Sequence, residues 1–382
     1  MSVYLDSNSS APIAPQVLRR MVEVYQGIIG NPDSRTHDFG MSARQVVEEA
    51  RLEVAKLLNI QHDEVIFTSG ATESNNIALR GLEDFAKKSG KMHIISSAIE
   101  HKAVLQTLQY LKTFGFSVDL VKPGRDGRVS ANNILERVRD DTLLVSLMHV
   151  NNETGIIQPV YEIGERLSNT DVLFHIDATQ SFGKLVDELK EISYNMLSMS
   201  AHKLGGPQGI GALILRKRGY RRLPIKGIMY GGQQEKGIRP GTVPVALVAG
   251  LGEACRIAGT DYKAGHKKCN DIKGKVLKKL EASGLKYIIN GDLKYSMANT
   301  LNICFPGVAS EALMLASKQY CAVSNGSACN SNSYEPSYVL RAMEIPDELI
   351  ECSIRLSWSS ASNSIELLES VDSLLKIASS FA

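Results

Sequence analysis

Long apolar runs are missing from this chain: no stretch of its 382 residues approaches the roughly 20 apolar residues that a membrane-spanning helix needs. A secretory leader is missing too, because MSVYLDSNSS has no basic region followed by an apolar core. Charge of one sign is scarce, with 43 Lys and Arg against 41 Asp and Glu and a net charge of +2. That balance gives no strong electrostatic footprint for nucleic acid. Metal-ligand spacing is also absent. The six cysteines, at 255, 269, 304, 321, 329 and 352, form no CxxC pair, and no His/Cys spacing resembles a zinc site. There is no internal repeat and no low-complexity linker. These absences predict a cytoplasmic globular protein with reduced thiols, no metal, no membrane contact and no direct nucleic-acid contact.

What the chain does have is an alternation of strands and helices. Strand text occurs at EVIFTSG (64–70), MHIISS (92–97), FSVDLVKP (116–123), TLLVSLMHV (142–150) and VLFHIDAT (172–179), and MLSMSAH and GIGALILRK complete the set. Helical text lies at 46–59, 71–90, 102–115, 131–139 and 160–169. Such alternation predicts an α/β fold, a mostly parallel sheet with helices on both faces. Ligands in such folds bind beyond the carboxyl ends of the strands. After about residue 250 the texture changes. Lys-rich helical text (262–283) precedes short strands around 286–305 and 354–358. The expected division is a large domain over 14–255 and a smaller α+β domain made of 1–13 and 256–382.

Four loops at strand ends carry chemistry. In SMSAHKLGGPQGIG (198–211), Lys203 precedes a glycine-rich turn. A loop lysine is usually just solvated, but lysine also forms Schiff bases with carbonyl cofactors. FTSGATESNN (67–76) ends a strand and opens a helix at Ala71 and Thr72, where backbone N–H groups and the helix dipole favour a phosphate. Thr72 and Ser200 add hydroxyl donors there and His202 an imidazole, although Thr72-Glu73 is also an ordinary helix start. Asp177 ends an apolar strand, and a buried carboxylate needs a partner. A pyridinium N–H is one candidate partner and a salt bridge to Arg or Lys the other. Gln180 and Asn152 follow strands and suit a ring oxygen. His101, after a strand and at a helix start, reads as a cap, a surface histidine, or a ring-stacking acid–base group.

One cysteine differs from the rest. Cys304 and Cys321 sit in apolar text and read as strand or core residues. Cys329 lies in VSNGSACNSNSYEP, among small, polar, turn-forming residues, where it reads as a leftover, a metal ligand or a nucleophile.

The chain resembles the cysteine desulfurases of the NifS/IscS type, within the class V aminotransferase group of fold-type I pyridoxal phosphate enzymes. The resemblance runs in order through YLDSNSSAP, GNPDSRTHDFG, FTSGATESNN, IEHKAVL, MHVNNETG, HIDATQSFGK, SAHKLGGPQGIGAL, RPGTVP, GSACNSNSYEPSYVL and SIRLSW, nearly the whole chain. It implies a large domain with a mostly parallel seven-stranded sheet. It implies pyridoxal 5'-phosphate bound as a Schiff base to Lys203, its phosphate held by Ala71, Thr72, Ser200 and His202. Asp177 would face the pyridine nitrogen, Asn152 and Gln180 the ring oxygen, and His101 the ring. Thr242 would reach the phosphate of a neighbouring subunit, which makes the protein a homodimer with shared active sites. Arg355 would receive the carboxylate of L-cysteine, with Asn8, Asn31 and Asn152 lining the same pocket.

In this reading Cys329 is the nucleophile. It takes sulfur from L-cysteine as a persulfide, releases L-alanine and, on a mobile loop (about 322–335), delivers the sulfur to an acceptor protein. Asn325, Asn330, Asn332 and Tyr334 depart from the family's usual SSGSACTSxxxEPS, and LDSNSSAP departs from LDNNATTP. Neither change touches a group the reaction needs; both bear on acceptor preference. The chain stops soon after VDSLLKIASSFA, without the tail that housekeeping members use to dock the iron–sulfur scaffold protein. The expectation is a specialised acceptor, such as a DNA phosphorothioation system, beside the alternatives of iron–sulfur cluster assembly and tRNA thiolation. Rival readings are a selenocysteine lyase or aminotransferase of the same fold, and a non-catalytic scaffold that kept it.

Overall fold

The computed structural model describes residues 2–217, 222–326 and 336–381. The chain starts with a two-residue strand, β1 (Val3–Tyr4), and two helices, α1 (Pro15–Gly27) and α2 (Asp38–Leu58). It then builds a seven-stranded sheet from β2 (Val65–Thr68), β3 (His93–Ser97), β4 (Ser117–Val121), β5 (Thr142–Met148), β6 (Leu173–Asp177), β7 (Met196–Ser200) and β8 (Gly211–Leu215). The spatial order is β2-β8-β7-β6-β5-β3-β4, and only β8 runs antiparallel to its neighbours. Between the strands lie α3 (Ala71–Arg80), α4 (Glu83–Ser89), α5 (Lys102–Lys112), α6 (Ala131–Leu135), α7 (Val160–Leu167) and α8 (Val186–Glu191).

The apolar strand text explains why the sheet is covered on both faces. Successive side chains in a strand point to opposite sides. Ile94, Leu144 and Leu213 accordingly pack into one core, with Val104 and Leu108 of α5. Their neighbours Ile95, Val145 and Ile214 pack into the other, with Val54 of α2 and Ile163 of α7. One expected helix, 71–90, is instead two. The Gly81 carbonyl accepts the Lys226 N–H at 2.9 Å, and a Cβ at Gly81 would come within 2.7 Å of the Lys226 carbonyl oxygen. The crossing chain therefore breaks the helix at the one residue that tolerates it.

The second half of the chain follows one long helix, α9 (Val245–Ala282). Beyond it, β9 (Ile288–Ile289), β10 (Thr300–Cys304) and, after α10 (Ser310–Ser317), β11 (Cys321–Ala322) lead to α11 (Tyr338–Ala342), α12 (Asp347–Ile350), β12 (Ser353–Ser357) and α13 (Ser364–Phe381). Strands β12-β10-β9 form an antiparallel sheet, while β1 pairs in parallel with β11, Val3 opposite Cys321. Leu5, Ile303, Leu356, Trp358 and Leu374 share a separate core. Cys304 and Cys321 are buried in strands, as their apolar setting predicts.

The expected boundary at 255/256 falls inside α9, which runs on without a break. Cys255 and Ala258 pack in the large core and Cys269 onward in the small one. The first half of α9, VALVAGLGEACRIAG, lacks the charged stripe that marks an amphipathic helix, so only the Lys-rich second half reads as helical in the sequence. Among the described residues no helix is long and apolar enough to cross a membrane.

Candidate active site

A cavity of about 500 Å³ opens beyond the carboxyl ends of β5, β6 and β7, between the large sheet and the smaller unit. Asn8, Ala71, Thr72, His101, Asn152, Asp177, Gln180, Ser200, His202, Lys203 and Arg355, eleven residues singled out in the sequence, all line it. The fold accounts for that convergence: most of them sit at a strand end or at the start of the following helix.

At one end the chain leaves β2 through Ser69 and Gly70 and enters α3, whose N-terminus has no side-chain cap. Gly70 has φ +152, and a Cβ there would lie 3.5 Å from Ser200 Oγ, so glycine keeps the backbone close to the cavity wall. Uncapped N–H groups at a helix start are an anion cradle. Glu73 in the first turn would oppose an anion, but Arg239 neutralises it at 3.1 Å and the Ser69 N–H also binds it, at 2.5 Å. His202 Nδ1 lies 3.3 Å from Ser10 Oγ. Burial, with Lys203 and Lys184 nearby, pushes the His202 imidazole down to about 4, so at neutral pH it is uncharged and carries one N–H.

Lys203 closes a short 3-10 turn, Ala201–Lys203, directly after β7. The turn packs tightly enough that a Cβ at Gly206 would meet Ala201 Cβ at 2.8 Å, which explains the glycines that follow the lysine. Asp177 ends β6 and is 5% exposed. Its Oδ2 accepts Asn75 Nδ2–H at 2.8 Å, and its Oδ1 accepts the Thr179 N–H at 3.0 Å and the Thr179 hydroxyl. Its partners here are thus an amide, a backbone N–H and a hydroxyl. Asn75 and Thr179 were not singled out in the sequence; a buried polar residue on α3 leaves no local signal.

His101 is both a cap and a cavity residue. Its Nδ1 accepts the Ala103 N–H at 3.1 Å, at the start of α5. That bond fixes the proton of the neutral ring on Nε2. Burial lowers its pKa, while the Asp177 carboxylate opposes the shift. Gln180 gives one amide hydrogen to the Asn8 carbonyl at 2.9 Å, leaving a second to donate, and its Oε1 is buried without a partner. Asn152 Oδ1 is likewise buried without a partner.

The opposite wall comes from the smaller unit. Arg355 on β12 is 3% exposed. Its Nη1 donates to the Asn152 carbonyl at 2.8 Å, and its Nη2 to Asp6 Oδ1 at 2.5 Å and Ser9 Oγ at 2.9 Å, while Nε is buried with no partner. Asp6 and Ser9, far away in the chain, were not singled out in the sequence either. Asn8 braces the junction, donating to Thr300 Oγ1 at 3.0 Å.

Two expected residues lie elsewhere. Asn31 is exposed, and its Oδ1 is spent on the Asp33 N–H of its own turn at 3.0 Å, so it does not line this pocket within the chain. Thr242 is exposed and outside the cavity. Cys329 lies outside the described residues. Its flank at Gly326 lines the cavity, and Ser324 exchanges backbone hydrogen bonds with Arg355.

A profile of the aminotransferase class-V family matches residues 3–368, and the chain belongs to that family, a family of pyridoxal phosphate enzymes. Within it the chain is similar to the cysteine desulfurases. The cysteine desulfurase IscS of Vibrio vulnificus is 43% identical over 363 residues, 94% of this chain and 88% of that protein. A solved NifS-like protein superposes with a TM-score of 0.91 at 34% identity, covering 99% of this chain and all of the other, 100%. SspA in complex with cysteine superposes with a TM-score of 0.81 at 33% identity, covering 95% of this chain and 100% of that one.

Proposed function

We propose that the chain is a cysteine desulfurase that takes sulfur from L-cysteine, releases L-alanine and carries the sulfur on Cys329 to an acceptor protein. The observation that carries this reading is one cavity holding Lys203, a fully oriented Asp177 and a buried arginine from the opposite unit. These residues fit pyridoxal 5'-phosphate. The uncapped α3 start at Ala71 and Thr72, with Ser200 and neutral His202, would hold its phosphate, Asp177 its ring nitrogen and Lys203 its aldehyde carbon. The partnerless Asn152 Oδ1 and the second Gln180 amide hydrogen leave polar capacity beside the ring. When bound, the cofactor supplies an electron sink for the substrate Cα.

The chain's own residues do the rest. Arg355 binds the substrate carboxylate through its planar guanidinium, held in plane by Asp6, Ser9 and the Asn152 carbonyl. Lys203 takes the Cα proton. His101, uncharged and with its one proton on Nε2, passes protons at the sulfur side. The Cys329 thiolate attacks the substrate sulfur. The S–S bond forms as the C–S bond breaks, and the carbon takes the electron pair and a proton to become the methyl group of alanine. No external oxidant is needed.

The reading includes a homodimer in which Thr242 of one copy serves the other's phosphate end. Thr242 is exposed, α1 presents Leu18, Val22 and Tyr25 to solvent, and Ile29, just past its end, is 77% exposed. It also includes a cytoplasmic setting, in keeping with five described cysteines that are all unpaired.

The deciding experiment uses two variants of the loaded enzyme. Lys203→Ala loses the visible absorbance of the bound cofactor. Cys329→Ser keeps that absorbance but forms no alanine from L-cysteine. Wild-type desulfuration by Cys329→Ser would sink the nucleophile assignment. A transaminase of this fold has no use for that thiol, so the same assay separates the two activities.

A further inference from the structure

Between β1 and α1 the chain lines the cavity with Asn8, Ser9 and Ser10. It is tied to both walls. The Ser7 N–H donates to the Ser357 carbonyl at 3.2 Å and the Asn8 N–H to Ser357 Oγ at 2.9 Å, on the strand that carries Arg355. On the other side the Ala11 N–H donates to the His202 carbonyl at 2.8 Å. A turn closed by the Ser9 N–H on the Asp6 carbonyl at 3.0 Å brings the Asp6 carboxylate and the Ser9 hydroxyl to one nitrogen, Arg355 Nη2. The departure of LDSNSSAP from LDNNATTP therefore reaches Arg355, because that pattern has alanine where this chain has Ser9.

The N–H hydrogens of a guanidinium lie in one plane, a single one on Nε and a pair on each Nη. Both Nη2 hydrogens of Arg355 are spent, on Asp6 Oδ1 at 2.5 Å and on Ser9 Oγ at 2.9 Å. One Nη1 hydrogen is spent on the Asn152 carbonyl at 2.8 Å, and Nε is buried. With Asp6 and Ser9 in place, Arg355 thus keeps a single Nη1 hydrogen for a ligand. That is too few for the two-point grip that a guanidinium ordinarily has on a carboxylate. A second donor stands beside it. Arginine has no acceptor, so in the Arg355–Ser9 contact the Ser9 oxygen accepts and its own hydrogen is left over. That hydrogen finds no acceptor among the described residues.

We propose that Ser9 is a substrate-binding residue: its hydroxyl donates to one oxygen of the substrate carboxylate while the free Nη1 hydrogen of Arg355 donates to the other. A hydroxyl that accepts from a cation is polarised toward donation. Asp6 keeps its place on Nη2, so the largely buried pair of Asp6 and Arg355 stays intact when substrate binds. That avoids the cost of stranding a carboxylate. The ligand class is an amino acid with a free carboxylate, and an amine without one gains nothing from Ser9. The inference rests on the reading of Arg355 as the carboxylate partner.

The test uses the cofactor-loaded enzyme and reads the spectral change of the bound cofactor during two titrations. L-alanine has the carboxylate but no sulfur; ethylamine has neither. Ser9→Ala is expected to raise the L-alanine concentration at half-change about tenfold, the scale of one hydrogen bond to a charged group, and to leave the ethylamine titration where it was. KM for L-cysteine should rise by the same factor, with a smaller change in kcat. Ser9→Thr, which keeps the hydroxyl, should recover most of the loss. A wild-type L-alanine titration by Ser9→Ala, or an equal loss with ethylamine, overturns the proposal. A second comparison separates contact with substrate from an effect carried by the arginine. In the Arg355→Ala background, Ser9→Ala should still weaken L-alanine binding. No further weakening there means that Ser9 acts only by holding Arg355, which overturns the proposal. Arg355→Ala by itself is the control, because unchanged L-alanine binding by that variant removes the underlying carboxylate reading whatever Ser9 does.

Discussion

The two walls of the cavity are built on different plans. On the large-domain wall, Asp177 is held by three donors and His101 by its own helix start. Polar atoms without partners, Asn152 Oδ1 and Gln180 Oε1, face the same region. On the small-domain wall, Arg355 already has partners in Asp6 and Ser9, supplied by the N-terminal segment. In the proposed reading the first wall takes a resident group, and a carboxylate that binds Arg355 on the second must share or displace Asp6. Each wall also hides a buried acid behind it, Glu100 beside His101 and Glu153 beside Asn152.

The sharpest way to break this contrast is on the first wall. Asp177→Asn keeps a side chain able to bond its neighbours but removes the charge that, in the proposed reading, would hold a ring nitrogen protonated. Alanine formation should fall about a thousandfold, the scale of losing a preorganised electrostatic contact, with cofactor absorbance retained. A loss under tenfold would mean Asp177 does not face the ring.

The second wall should respond in a different parameter. Arg355→Ala removes the proposed carboxylate partner and strands Asp6, which is 18% exposed at its side chain. KM for L-cysteine should rise about a hundredfold, as expected for a broken buried charge pair, with a smaller change in kcat. Arg355→Lys should recover only part, because a point charge cannot serve Asn152, Asp6, Ser9 and substrate in one plane. If kcat falls as steeply as KM rises, the two walls are not separable in this way.

The same contrast marks how much was legible in the sequence. The large-domain wall was readable because most of its groups end a strand, open a helix or lie a few residues past such a point, and strand periodicity locates those points. The small-domain wall was readable only in part. Arg355 stood out through resemblance, but its partners Asp6 and Ser9 lie more than 340 residues away in the chain, as the separations of 349 and 346 show. No local pattern joins them. Asn31 sits in an Asn-Pro-Asp turn that uses its own side chain, a local bond that its place in the sequence does not reveal. The continuity of α9 was hidden because its first half is packed on several sides and has no polar face. The buried acids were the least visible. In IEHKAVL and NNETG they look like ordinary solvated glutamates, which most glutamates are.

Glu100 gives the mildest and most specific test of the first wall. It is fully buried; Ser97 Oγ donates to its Oε1 at 2.5 Å, and its Oε2 has no partner. Burial pushes the carboxyl up to about 8, against the Ser97 hydroxyl, and the Asp177 carboxylate pushes the same way. At neutral pH it is therefore an uncharged acid, which keeps a second negative charge away from Asp177 and His101. In the unfolded chain it would ionise near its ordinary value of 4.5. Stability from this group is thus fully present below that value and is lost as pH rises toward about 8, because the unfolded state releases a proton that the native state keeps. Glu100→Gln carries no such proton. It should come nearest to the native protein in denaturant unfolding at about pH 4, below that ordinary value, and exceed it by on the order of 4 kcal/mol at pH 8. Parallel stability curves for the two proteins across that window would show that Glu100 is ionised in the fold, and the large-domain wall would then carry one more charge than its geometry accounts for.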